Sequence, residues 1–465
     1  MREKSKIPQN KELFRQELAE LVNEKHPLVL LSHKIEWSVF EKQWAGYFPS
    51  EKGRPALPSR LVAGLLYLQH TFACSDEAVV QSWLENPYWQ YFCGETYFRH
   101  DLPLDPSSLT RWRKRIGEEG VEWMLTVTVQ AALAEKVVDE KSFEKVIVDT
   151  TVQEKAIAYP TDSRLLNRCR EHLVKFSKEA GLSLRQNYNR EAPKLLAQVG
   201  RYAHAKQYKR MRKSLKKLKT ITGRVYRDVC RQMEKIPEHL RMKADDLLAK
   251  GKRLLEQKKN SKNKLYAMHA PEVECISKGK AHCRYEFGVK VSIVTTHKEG
   301  LVIGARSLPG SPYDGHTLAE AIEQMEIITD HSPRQVFVDL GYRGHDLRTV
   351  KVYHKNLRRG ITRTLRADIR RRSAIEPMIG HMKNDGKLRK NWLKGSLGDA
   401  LNAVLCACGH NLRMILRKLR LSYSFCLDIW HQILRIRSTI FMDLFSFFEN
   451  QIYSGRTSYN LHGTA

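Results

Sequence analysis

The 465-residue sequence predicts an α/β protein with a mixed-sheet core, an N-terminal helical domain and a long basic helical insertion after the first core strand. Three observations carry this reading. Short apolar runs suited to strands occur at Val146 to Asp149, Glu286 to Thr296, Leu301 to Ser307 and Val336 to Asp339, with helix-like stretches around His316 to Thr329 and Arg343 to Thr349. Before Lys145 the apolar residues follow a helical period. Between the first and second strands the chain is again helical in spacing, and strongly basic.

Taken in order, residues 1 to 140 form the helical domain. Leu61, Leu65 and Leu68, at i, i+4 and i+7, predict a helix over Ser59 to His70. Ser75 suits the N-cap of a second helix running from Asp76 to about Glu85, just before Pro87. A third begins at Pro106-Ser107-Ser108 and carries Arg111, Arg113, Lys114 and Arg115. A basic helix after two mostly neutral ones is compatible with a helix-turn-helix reader of duplex DNA, and also with a small bundle whose last helix has a solvated basic face. Arg111, Arg113 and Lys114 are the DNA-contact candidates there.

Residues 141 to 160 supply the first part of the core, and 161 to 270 the insertion. Arg201 to Lys219 holds nine Lys/Arg and no acidic residue, while Leu215, Leu218, Ile221, Val225 and Val229 keep a helical spacing. That combination predicts a folded helical hairpin with a cationic face, on which Lys213, Lys216 and Lys217 are placed to meet phosphates. Residues 271 to 420 complete the core. From Leu421 an apolar tail, rich in Phe and Ile, predicts one or two amphipathic helices for packing or self-association.

Charge narrows the partner. Eighty Lys+Arg against 51 Asp+Glu give a formal charge of +29. Residues 161 to 270 hold 30 basic and 10 acidic side chains and residues 351 to 420 hold 18 and 4, so these two segments carry the whole positive excess. A polyanion, nucleic acid, is the expected partner. No apolar stretch reaches the ~18 residues of a spanning helix and no signal pattern opens the chain, so no membrane partner and a cytoplasmic, nucleoid-associated location are expected. Nine scattered cysteines without a CxxC pair fit a reducing compartment. Cys406, Cys408 and His410 are close in sequence, but i, i+2 spacing on a helix points them to different faces, which favours packing over zinc.

The chemistry lies in three acids. Val146-Ile147-Val148-Asp149 and Val336-Phe337-Val338-Asp339 are two apolar runs that end in aspartate, and Glu376 follows on a basic segment. Two strands and a helix can bring such carboxylates together on a pair of Mg²⁺ ions, which implies a phosphodiester substrate. Gly341-Tyr342-Arg343-Gly344 follows Asp339, with Arg343 able to pair with phosphate. Arg372, Glu376 and Lys383 stand at i−4, i and i+7, so a helix would put the acid and both cations on one face. Ile375, Ile379 and Met382 form the adjoining apolar face. Pro377 disfavours a mid-helix position for Glu376 and suggests the first turn, with Arg372 before the helix.

These segments resemble the DDE transposases of bacterial insertion sequences, most closely the insertion-sequence-five family within the wider insertion-sequence-four-like group. The third-acid motif Y-(2)-R-(3)-E-(6)-K is matched by Arg372, Glu376 and Lys383, with Ile369 where the family has tyrosine. Further likeness lies in Val148-Asp149-Thr150-Thr151, Tyr159-Pro160-Thr161-Asp162, Tyr313-Asp314-Gly315-His316-Thr317-Leu318, Val338-Asp339-Leu340-Gly341-Tyr342-Arg343 and Gly409-His410-Asn411-Leu412-Arg413. It covers about residues 25 to 420.

The resemblance implies an RNase H-like core and an N-terminal domain that binds terminal inverted repeats. It also implies Asp149, Asp339 and Glu376 as catalytic metal ligands for two Mg²⁺, with Mn²⁺ able to substitute. Arg343, Arg372 and Lys383 would hold DNA phosphates near the metals, and two element ends would be paired by a homodimer or larger assembly. The same three carboxylates would serve a nuclease that cuts without joining, and a transposase-derived DNA-binding protein that has lost activity is a third reading.

Overall fold

The computed structural model describes residues 15–48, 55–258, 260–277, 284–355 and 361–421. The expectation for the tail beyond Leu421 lies outside the described residues. Helices α1 (Leu18–Leu21), α2 (Pro27–Lys34), α3 (Ser38–Trp44), α4 (Ser59–Thr71), α5 (Asp76–Glu85), α6 (Pro87–Phe92) and α7 (Ser107–Ala134) build the N-terminal part. Here α5 has the expected bounds and α4 runs one residue past its expected end, and Ser75 caps α5 by accepting a hydrogen bond from the Ala78 amide. The basic helix α7 is far longer than its charged segment, because beyond a kink at Gly117 it continues as a buried apolar stretch from Val121 to Ala132.

The sheet comprises β1 (Lys145–Lys155), β2 (Glu274–Ile276), β3 (Glu286–Thr296), β4 (Val302–Leu308), β5 (Gln335–Phe337), β6 (Lys351–Tyr353) and β7 (Lys390–Asn391). Its order is β2-β3-β1-β5-β6, with β4 on β3 and β7 on β1. β1 is central. It pairs antiparallel with β3 along Val146 to Glu154, and parallel with β5 only at Lys145 to Ile147. Parallel pairing with β7 resumes at Glu154 and Lys155. Helix α12 (Leu318–Thr329) covers one side through Leu318, Ile322 and Met325, and α14 (Ile375–Asn384) packs with Ile375, Ile379 and Met382 inward, as their spacing predicts.

Two expectations fail locally. The run at Val146 does not end at Asp149, since β1 continues six residues further because Thr150 to Glu154 remain paired to β3. The helix expected around Arg343 to Thr349 does not form. The chain there leaves a short turn (Leu340–Tyr342) and is drawn back to begin β6, which runs parallel to β5.

The insertion is a four-helix unit and not the expected hairpin: α8 (Asp162–Glu179), α9 (Glu191–His204), α10 (Tyr208–Arg231) and α11 (Glu238–Glu256). Leu218, Ile221, Val225 and Val229 of α10 are buried, as the helical spacing requires, but one apolar stripe needs more than a single partner helix to cover it. α8 and α11 supply Leu166, Leu173, Phe176, Leu248 and Leu254 to the same cluster, which is separate from that of the sheet. The N-terminal helices, by contrast, share one apolar cluster with the sheet and with the last described helix, α15 (395–421).

That shared cluster explains Gly409-His410-Asn411-Leu412-Arg413. A Cβ on Gly409 would lie 2.3 Å from the His70 carbonyl oxygen, so α15 and α4 cross at a distance only glycine allows. Arg413 donates to the carbonyls of His70 and Thr71 at 2.9 and 3.1 Å. Asn411 accepts from the Val302 amide and donates to its carbonyl and to Thr128, which joins β4, α7 and α15. His410 Nε2 donates to the Gly300 carbonyl at 3.2 Å. Cys406 and Cys408 are buried beside this helix's apolar contacts.

Burial lowers the pKa of His70 to about 3 and of His410 to about 4, from an ordinary 6.5. Their folded-state values lie below the unfolded one, so the stability they contribute is present above about pH 6.5 and is lost as pH falls toward their folded values. Denaturant unfolding at pH 7 and pH 5 should show a loss on the order of 1–2 kcal/mol per imidazole; His410→Gln should reduce the difference. Gly409→Ala should lower the melting temperature through a loss of roughly 1–3 kcal/mol, the usual range for overpacking.

Candidate active site

The parallel register of β1 and β5 positions the first two acids. Ile147 stands across from Phe337. Two residues further along come Asp149, still within β1, and Asp339, two positions past the end of β5. β5 ends at Phe337, and beside Val148 to Gln153 the edge of β1 is open until β7 begins. Asp339 caps the turn Leu340–Tyr342 by accepting from the Gly341 amide. The two runs noticed in the sequence are therefore laterally paired copies of one motif.

Glu376 arrives from the opposite layer. It occupies the first turn of α14, and Arg372 lies in the preceding turn (Arg372–Ala374), in accord with Pro377 at the third position of the helix. Ile375, 1% exposed, pins this turn to the sheet. The Arg372 guanidinium bridges two acids, donating to Asp149 Oδ2 at 3.4 Å and to Glu376 Oε1 at 3.3 Å. Asp149 and Glu376 are thus brought to one guanidinium, with Asp339 beside Asp149. Among the described residues no three His, Cys, Asp or Glu side chains stand close enough together to hold a metal ion. A positive charge, that of Arg372, fills the space between the first acid and the third.

Asp314 is the functional candidate that residue-level reading passed over, although its segment was among those resembling the family. Its Oδ1 accepts from Thr150 Oγ1 at 3.1 Å and from Lys290 Nζ at 3.2 Å. Its Oδ2 lies 3.1 Å from where a Cβ on Gly341 would be, and Asp339 Oδ1 lies 3.5 Å from the same point. A side chain here would press on the Asp314 carboxylate. Tyr342, 1% exposed, has its hydroxyl beside that of Ser292. Burial first, and then the charges of Asp149, Asp314 and Asp339, push its pKa well above the ordinary 10.

The donor set fits a hard divalent cation. Every acid here offers carboxylate oxygen, the donor such a cation prefers, and the charges of Asp149, Asp314 and Asp339 all act on the buried Tyr342.

The basic candidates separate into two groups. Arg111, Lys114, Arg343, Lys213, Lys216 and Lys217 are exposed, and Lys383 is half-buried on α14. Lys217 is tied to Glu191 at 2.6 Å. Arg113 is corrected: it is 2% exposed and forms an ion pair with Asp76, with a further bond to Gln69. Its place between Trp112 and Lys114 turns it toward the first turn of α5, where Asp76 lies, so it joins helices and faces no ligand.

Comparison with known families now bears on the whole. A family model described as a transposase domain matches residues 16–115, and one described as a transposase DDE domain matches residues 256–412. The chain belongs to the DDE transposases of insertion sequences. The second match includes Asp339 and Glu376; β1 and Asp149 fall outside both, in the part of the chain that precedes the insertion. A Rhizobium meliloti protein described as uncharacterized protein ORF8 in nfe locus is 47% identical over 197 residues, 42% of this chain and 95% of that protein. No solved structure matches. The transposase is mixed α/β with the RNase H-like core that the DDE domain implies, and no described helix is long and apolar enough to cross a membrane.

Arg113→Ala should reduce stability by about 3 kcal/mol, as removal of one partner of a buried pair does. Arg111→Ala should leave thermal unfolding unchanged and weaken DNA binding. Melting curves alongside gel-shift titrations separate the two positions.

Proposed function

We propose that this transposase cuts DNA at the ends of its insertion sequence and joins them to target DNA with Asp149, Asp339 and Glu376 as its catalytic acids. The observation that supports the reading is the parallel pairing of β1 with β5 two residues before Asp149 and Asp339, with Asp149 and Glu376 sharing the Arg372 guanidinium. Two divalent cations held by these acids, Mg²⁺ or Mn²⁺, would supply an activated oxygen nucleophile and a stabilised leaving oxygen.

The chain's own residues do the rest. Arg372 neutralises Asp149 and Glu376 while the site awaits its cations, and a DNA phosphate offers the guanidinium an alternative bidentate partner. Movement of Arg372 onto phosphate would release both carboxylates and hold the substrate beside them. Lys383 and Arg343 would add further phosphate contacts. The exposed cations of α10 and the Arg111 side of α7 would hold the flanking duplex, and two element ends would call for at least two subunits on DNA, in the cytoplasm on the nucleoid.

Asp339→Asn should abolish both cleavage and the joining of pre-cut ends while DNA affinity is retained; undiminished cleavage would overturn the assignment. Wild-type cleavage without joined product would instead indicate a hydrolytic enzyme. The salt dependence tests the DNA surface: log K against log[salt] should fall by about 0.9 per phosphate neutralised, and replacing Lys213 and Lys216 by Ala should reduce that slope by about 2.

A further inference from the structure

We propose that an arginine row on helix α13 (Arg363–Arg371) is the surface that holds target DNA, the second duplex of the joining reaction. This rests on the two-duplex reading above and names where the second one lies.

α13 runs directly into the turn that carries Arg372, so Arg370 stands two residues before the guanidinium shared by Asp149 and Glu376. Thr362 caps the helix by accepting from the Leu365 amide at 3.2 Å. At about 100° per residue, Arg363, Arg366 and Arg370 fall within roughly 60° of arc, and Leu365, Asp368, Ile369 and Arg371 occupy the opposite half. That second group ties the helix down. Leu365 and Ile369 pack against the main apolar cluster, Asp368 pairs with Lys145 at 2.7 Å, and Arg371 donates to the carbonyls of His297 and Lys298. His297 Nε2 in turn donates to the Asp368 carbonyl at 2.9 Å. The arginine row therefore faces away from the protein, and all three of its residues are exposed.

Like charges three and four positions apart repel along a helix. Among the described residues no carboxylate pairs with Arg363, Arg366 or Arg370, so nothing there offsets that repulsion. A phosphate backbone would offset it, and a guanidinium can meet each phosphate through two hydrogen bonds.

Position decides which duplex. The contacts with Lys145 and His297 put α13 at the start of β1. The insertion leaves from the far end of that strand, after Lys155, and the basic start of α7 lies there too: Thr110 and Lys114 share a cleft with Trp392 and Lys394, just past β7, which pairs with Glu154 and Lys155. Lys145 and Lys155 are roughly 33 Å apart along β1, at about 3.3 Å per residue, with Asp149 between them. Both surfaces assigned to the element end thus approach the acids from one side, and the arginine row is at the other. Two duplexes, each a rod of like charge, meet at one site with least repulsion when they come from different directions.

The test separates the two duplexes. Full-length protein is first saturated with a duplex carrying the terminal inverted repeat that flanks its own coding region, and a fluorescent duplex of unrelated sequence is then titrated in over a range of salt. Arg363→Ala, Arg366→Ala and Arg370→Ala together should lower the slope of log K against log[salt] for the second duplex by roughly 2.7, the loss of three phosphate contacts. Binding and cleavage of the inverted-repeat duplex should be unchanged, which also shows that the variant folds. Lys at the same three positions keeps the charge and should keep the slope. An unchanged slope in the Ala variant overturns the proposal. So does an equal loss on the inverted-repeat duplex, which would make the row part of the end-binding surface. The joining reading is judged apart, on pre-cut ends with the wild-type protein: if no joined product forms while the Ala variant still loses the second duplex, joining is refuted and the row stands as the surface for that duplex.

Discussion

Three ladder pairs between β1 and β5 hold the functional architecture in place. Lys145, Val146 and Ile147 stand beside Gln335, Val336 and Phe337 in parallel, and this fixes the height at which Asp149 and Asp339 emerge. A slip of one residue would send one aspartate to the far face of the sheet. The register is secured by burial on both sides: Val146, Ile147, Val336 and Phe337 are each at most 2% exposed. β1 is held for nine residues by β3 on its other edge, while beside Val148 to Gln153 its β5 edge is left open.

The second constraint is the fusion of the N-terminal helices to the core. Gly409, Asn411 and Arg413 on α15 meet α4, α7 and β4 through backbone carbonyls and one close helix crossing. Joined this way, the N-terminal helices share one continuous apolar cluster with the sheet. The four-helix insertion has its own core, so the chain can leave β1 after Lys155 and return at β2 without disturbing the strands. The end of β1 is secured separately, where Lys155, buried, pairs with Asp399 and Glu272 at 2.8 and 2.9 Å.

Electrostatics at the site balance on one side chain. Arg372 holds Asp149 and Glu376 together, which offsets the repulsion of bare carboxylates. Asp314 is balanced similarly by Lys290, on the opposite face of the sheet. Asp149 and Glu376 thus share one cation, Arg372, while Asp314 has its own in Lys290 of β3. Arg372 reaches the acids from the turn before α14 and is 17% exposed, while Glu376 beside it is 65% exposed.

The sequence by itself determined the mixed α/β class, the position of the basic insertion, the bounds of α5 and β3 and the first-turn place of Glu376, because periodicity, caps and Pro377 are local signals. It could not reveal that Arg113 faces inward while Arg111 and Lys114 face out, since helical phase against a neighbouring α5 is set by packing. Nor could it place Asp314 beside Asp339, which required a turn before α12 to meet one after β5. The lateral pairing of two similar runs, 190 positions apart, and the growth of a hairpin into four helices were likewise decided by tertiary structure, for the physical reason that an apolar face acquires its partner only once the whole chain has closed around it.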